Sequence, residues 1–144
     1  MTDLVILSII GGKQTAISAD AVRSVIEVDE IVPVPLAPDY ILGLAALRSR
    51  PMTVVDTRRA IGLRGDSDRP CSRAIVIEQD GHAYALMVEE VFDVVAAEGE
   101  TKDIGSKFGK GWHAVALGMV ETPRGPALLI DPAALLSVDE RKVA

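Results

Sequence analysis

Short apolar runs rich in Val, Ile and Leu alternate with Gly-, Pro- and Asp-containing turns along nearly the whole chain. That spacing predicts strands rather than helices. Leu4–Ile10 and Thr15–Ser18 read as two strands around Gly11-Gly12, because adjacent glycines supply the positive φ that a tight hairpin needs. Val25–Val28 reads as a third strand, which Ile31–Val34 continues past a turn at Asp29-Glu30. Pro33, Pro35 and Pro38 force an extended, non-helical connection. Ile41–Leu47 and Met52–Val55 flank a turn at Arg48-Ser49-Arg50-Pro51. Ala74–Ile77 and Tyr84–Val88 flank another at Asp80-Gly81. Val115–Val120 and Ala127–Ile130 are the last two strands, and Pro132–Leu136 reads as a short terminal helix with proline at its start. Residues 64–73 and 98–111 are mostly polar and rich in Gly, Lys and Asp, and read as long mobile loops.

The pattern repeats. Gly11-Gly12 and Asp80-Gly81 lie 69 positions apart, and the same offset brings Ile6 onto Ile75, Ile17 onto Leu86, Val22 onto Val91 and Val25-Ile26 onto Val94-Val95. Gly43 precedes Asp56 by 13 positions, and Gly118 precedes Asp131 by the same 13. Both aspartates end an apolar strand, TVVD and LLID, and both precede a short apolar turn. There the offset is 75, so the second half carries about six extra residues, which the 98–111 segment can absorb. Two units of about 70 residues would each be marginal alone. The fold expected is therefore all-β: two small curled five-stranded antiparallel barrels, intertwined over one hydrophobic core. Residues 13–68 would form one unit and residues 1–12 with 69–137 the other, within a single domain 1–144 whose tail is 138–144.

Composition narrows the function. Hydrophobic residues make up 49% of the 144 residues and aromatics only 3%, so the core is aliphatic and the chain is not a disordered one. A net charge of −6 with so few stacking side chains argues against nucleic acid as partner. The longest apolar runs are too short to span a bilayer, no basic start precedes an apolar stretch, and one cysteine, Cys71, excludes an internal disulfide framework. These features predict a cytoplasmic protein.

Reactive chemistry is sparse. His82 and His113 have no further ligand at metal-binding spacing, so no metal site is expected. The segment GSKFGKG at 105–111 lacks the strand before it and the helix after it that a phosphate loop requires. No cofactor is expected. Asp56 and Asp131 are read as hydrogen-bond acceptors for the turns that follow them. A small enzyme built on Asp56 or Cys71 is the alternative. A small acidic β-protein without a reactive constellation points to binding instead.

Residues 33–58, PVPLAPDYILGLAALRSRPMTVVDTR, resemble the central segment of the CheW family of chemotaxis coupling proteins. Pro35, Pro38, Tyr40, Gly43, Leu47, Arg48, Val55, Asp56 and Arg58 stand at the matching positions. Thr15–Val28, Gly81–Val91 and Gly118–Leu136 extend the likeness over about residues 4–137. The resemblance implies two intertwined SH3-like barrels and a non-enzymatic scaffold between the cytoplasmic tips of chemoreceptors and a CheA-type histidine kinase. It implies ring or array assembly, and contact with the membrane only through the receptors. A same-fold adaptor of a pilus or developmental pathway is the other reading. Carried over residue by residue, it makes Arg48, Val22, Ser24 and Ala74 partner-binding candidates, with Gly43, Asp56, Gly118 and Asp131 shaping the turns. Plain solvation for Arg48, and core packing for Val22 and Ala74, are the competing roles. Three departures are specific to this chain. Ser49 stands where the family has Gly, Ser24 where relatives have an acid that partners the Arg, and Glu89 where they have Asp. Arg48 should then be free, or drawn to Glu27.

Overall fold

A computed structural model describes residues 3–63, 73–105 and 108–137. Among the described residues eleven strands and three short α-helices follow one another, with a 3-10 turn at Ala19–Ala21 between the second and third strands: β1 (Leu4–Ile10), β2 (Lys13–Ser18), β3 (Val22–Glu27), β4 (Ile41–Leu47), β5 (Arg50–Asp56), α1 (Thr57–Ile61), β6 (Arg73–Gln79), β7 (His82–Val88), β8 (Glu90–Ala96), β9 (Glu98–Lys102), α2 (Lys110–Val115), β10 (Ala116–Thr122), β11 (Gly125–Ile130) and α3 (Pro132–Leu136). The strands form a six-stranded sheet in the order β8-β1-β2-β11-β10-β9 and a five-stranded sheet in the order β3-β6-β7-β5-β4. Each sheet is mixed, with one parallel pair, β11 with β2 and β5 with β7, among antiparallel neighbours.

The repeat is real at the level of backbone geometry. The 69-residue offset carries β1 onto β6, and the 75-residue offset carries β4 onto β10 and α1 onto α3. Both early turns, Gly11-Gly12 and Asp80-Gly81, hold two successive positive φ angles, the backbone twist that suits a two-residue hairpin. Gly43 and Gly118 each sit at a break in register, between Ile41 and Gly43 in one half and between Ala116 and Gly118 in the other. A bulge at the same place in both hairpins gives each its strong curl.

The division between the halves differs from the expected 13–68 against 1–12 with 69–137. Sheet membership runs 4–18 with 90–130, and 22–56 with 73–88. The first half keeps three strands and the second four, and each gives its first hairpin away. β1–β2 pairs with strands of the second half, and β6–β7 with strands of the first. A hairpin expects its own following strands as neighbours, but here β2 lies beside β11 and β7 beside β5, so intertwining is built from exchanged hairpins.

The apolar interior follows this layout. A central cluster draws Ile6, Ile17, Val55, Ile75, Leu86, Leu128 and Ile130 from both sheets, and Trp112 joins it from α2. Smaller clusters fill the curl of each sheet: Met52, Val54, Ala74, Val76, Ala85 and Met87 in one, Val5, Leu7, Ala16, Val120 and Ala127 in the other. The shared core is thus flanked by two private ones. Glu89 laces the arrangement together. Its carboxylate accepts from the backbone N–H groups of Gly11 at 2.7 Å and Gly12 at 3.3 Å, and Arg58 lies 3.9 Å from the same carboxylate. The Glu89 side chain thus reaches the turn of the exchanged hairpin.

One segment read as a loop holds structure. Residues 98–111 contain β9 and the start of α2, and β9 lies along β10 with Met119 opposite Lys102 and Glu121 opposite Glu98. Its side chains are all exposed, so pairing along the backbone holds it, and a hydrophobic pattern could not reveal it. The segment 64–72 and Cys71 lie outside the described residues. Ile31–Val34 is not a strand extension: one bridge, Val32 opposite Leu44, is formed there.

Candidate functional site

Asp56 and Asp131 do the structural job read from the sequence. Asp56 Oδ1 accepts from the N–H groups of Arg58 (3.1 Å) and Arg59 (3.4 Å) at the start of α1. Asp131 Oδ1 accepts from Ala133 N–H (3.1 Å) at the start of α3. In turn the backbone N–H of Asp56 donates to Tyr40 and that of Asp131 to Val115, each at 2.8 Å and 75 residues apart. Asp56 also lies 3.6 Å from Arg59. Replacing either aspartate with Ala should cost about 1 kcal/mol, the loss of one cap, and thermal unfolding of the two single variants checks it. A carboxylate so engaged is poorly placed for acid–base chemistry.

The partner-binding candidates occupy two different places. Arg48 is exposed at the tip of the β4–β5 hairpin, in a two-residue turn closed by Leu47 opposite Arg50. Both turn residues have positive φ, 52° for Arg48 and 69° for Ser49. The turn that favours Gly at Ser49 keeps its geometry with two side-chain-bearing residues, at a strain cost of order 1 kcal/mol each. Among the described residues Arg48 forms no ion pair, with Glu27 or with any other carboxylate. The other three sit on β3 and β6. Val22 is half-buried and packs against the central cluster. Ser24 is half-buried opposite Val76. Ala74 has no exposed surface and belongs to a private core. It packs behind the β3–β6 face and has no exposed surface of its own to offer.

Between the end of β3 and the β4–β5 hairpin the surface opens into a groove of about 620 Å³. Ile26, Val28, Val32, Ala45, Leu47 and Met52 give it an apolar floor, and Glu27, Asp29 and Glu30 line one wall. Beside it runs a ridge of exposed apolar side chains: Val32, Val34, Leu36 and Leu44. Leu36 is wholly exposed and held at φ +65°, in a turn closed by Ala37 N–H donating to the Val34 carbonyl at 3.3 Å. Pro35 fixes the residue before it, which places Leu36 where such a turn favours Gly or Asn. The sequence held a signal for this: a leucine between two prolines at an unspecified position of the family pattern.

The second half shows why the groove exists. There the corresponding seam is reduced to about 200 Å³, lined by Ala97, Thr101, Val120 and Leu129 among others, because β9 covers the edge of β10. In the first half the edge of β4 meets only the single Val32–Leu44 bridge. Proline at 33, 35 and 38 denies the chain the N–H groups and the dihedral freedom that a covering strand needs. An apolar seam is left open on one side of a nearly symmetric molecule.

Comparison with known proteins agrees with the geometry. Residues 5–140 match the model of the CheW-like domain family. A chemotaxis protein CheW of Rhizobium meliloti (strain 1021) is 24% identical over 139 residues, covering 94% of this chain and 88% of its own length. The crystal structure of the scaffolding protein TtCheW from Thermoanaerobacter tengcongensis shares the fold, with a TM-score of 0.76 at 22% identity over 91% of this chain and 90% of its own. The family match spans both sheets and the hairpins they exchange, and on that ground the chain belongs to the CheW-like domain family.

Proposed function

We propose that this chain is a non-enzymatic adaptor of chemotaxis signalling that couples the cytoplasmic tips of chemoreceptors to a CheA-type histidine kinase, in the cytoplasm at the inner face of the membrane. The family supports the pathway. The observation that carries the binding role is the open seam of the first half, where an apolar groove, an exposed ridge and a pre-shaped arginine turn stand together on one hairpin and its neighbouring segment. Soluble proteins bury such apolar surface unless a partner covers it. Arg48 contributes a planar cation that pairs with no carboxylate among the described residues, so its donors are available for a bidentate contact. Ser24 and Val22 lie on the adjoining strand, and Ala74 packs beneath it.

The test is a pull-down of the kinase and of a receptor cytoplasmic fragment on the intact protein, followed by titration. Arg48→Ala should weaken binding to at least one of them by about five- to 150-fold, while thermal stability stays within about 0.5 kcal/mol of the parent. Equal binding by parent and variant would remove Arg48 from the interface. Failure of both partners to bind the parent protein would overturn the adaptor reading.

A further inference from the structure

The face that opens in the first half carries a knob and a hole at once. The knob is Leu36, wholly exposed, pinned by Pro35 and Pro38 and kept at a positive φ that a leucine pays strain to hold. The hole is the 620 Å³ groove, and Val32 joins the two by lining the groove and starting the ridge that leads to Leu36. A space of about 150 Å³ accepts a benzene-sized group, so the groove has ample room for a leucine side chain. Charge is divided in the same way. Glu27, Asp29 and Glu30 form one wall, while Arg48 and Arg50 sit at the hairpin end beside Leu47 and Met52 of the opposite wall. Among the described residues none of these five forms an ion pair.

A surface with a knob and a hole, and with acid on one side and base on the other, complements itself under a two-fold rotation. We propose that the occupant of this groove is a second copy of the same chain: Leu36 of each copy enters the groove of the other, and Arg48 and Arg50 of each face Glu27, Asp29 and Glu30 of the other. The ridge of four apolar side chains falls short of the roughly 800 Å² per partner that a stable interface buries. The dimer is therefore weak and exchanging, with a dissociation constant of about 0.1–1 mM. It uses the same open face as the adaptor reading, so a second copy and a kinase or receptor exclude one another there, and its test contains neither partner, which keeps its failure distinct from a failed pull-down.

Sedimentation equilibrium of the full chain from about 20 μM to about 2 mM decides it, with melting temperature measured in parallel. The parent should move from monomer towards dimer mass across that range. Leu36→Gly removes the knob and relieves the strained φ, so it should weaken dimerisation at least tenfold with a melting temperature unchanged or raised. Leu36→Asn, which also tolerates a left-handed backbone, should behave alike and guards against a folding failure of the first variant. Arg50→Glu should weaken the dimer, and the exchange Glu30→Arg with Arg50→Glu in one chain should restore it. A parent that stays monomeric throughout overturns the proposal, as does a dimer indifferent to Leu36→Gly, or an exchange variant no better than Arg50→Glu.

Discussion

Gly111→Ala should be the most damaging single methyl added to this protein. Gly111 lies at the second position of α2, where a Cβ would overlap the backbone carbonyl of Ile61 at the end of α1. Neither group can yield: one is the backbone of a helix closed by Gly62, the other the turn that places Trp112 in the central cluster. α1, α2 and α3 pack on one another here, so a displaced α2 would lift Trp112 and Val115, both buried, out of contact with both sheets. Overpacking of this kind, with partial loss of a buried tryptophan, costs about 3–5 kcal/mol. That is a large share of the 5–15 kcal/mol holding a typical domain together, and it should lower the melting temperature by roughly 10–20 °C. Gly109→Ala, two residues earlier and facing open space, should leave it almost unmoved. Calorimetry of the two variants separates a packing effect from general loss of glycine.

The second large effect is expected at Gly43. Its φ of +149° excludes ordinary side chains, and a Cβ there would strike the carbonyl oxygen of Val32, the acceptor for Leu44 N–H. Gly43→Ala should cost about 2–4 kcal/mol and release the Val32–Leu44 bridge that ties the ridge to β4. Gly118 is its repeat mate, at φ +155°, where a Cβ would meet Thr101 and the carbonyl of Lys102 in β9. Gly118→Ala should cost a similar amount but free β9 instead. Hydrogen exchange distinguishes them: the first variant should lose protection at Val32 and Leu44, the second at Lys102 and Met119. Loss of protection throughout the molecule in either case would show that the bulge serves the whole fold and not its own seam.

Much of this was legible. Ile41–Leu47 and Pro132–Leu136 are a strand and a helix at the expected ends, since a β-rich run bounded by turn residues and a helix opened by Asp-Pro are local signals. The repeat was legible because turns, bulge glycines and cap aspartates sit at fixed offsets. What escaped depends on distant partners. β9 has no apolar face, so only the edge of β10 makes it a strand. The exchange of hairpins is a choice between two equally apolar neighbours, one near in sequence and one far, and an alternating pattern fits both. Arg48 at a hairpin tip followed from the turn, whereas Ala74 could not be told from a surface residue until β3 and β7 closed over it from either side. The groove is an absence of a strand, and proline-rich spacing hints at it without showing what lies beneath.

The exchanged hairpins have a consequence for how the protein is made. β2 meets β11 across more than a hundred residues, with Thr15 opposite Leu128. As the chain leaves the ribosome, its first hairpin waits with one edge bare until β11 has emerged. The first half cannot close its own sheet either, because the middle of that sheet is the hairpin β6–β7. Loop closure over such distances slows folding, and no early fragment has a complete sheet to rest in. Translation thus produces a long-lived, half-paired nascent chain whose open strand edges invite other strands. Cellular yield should accordingly respond to chaperone supply more than the modest size of the protein suggests.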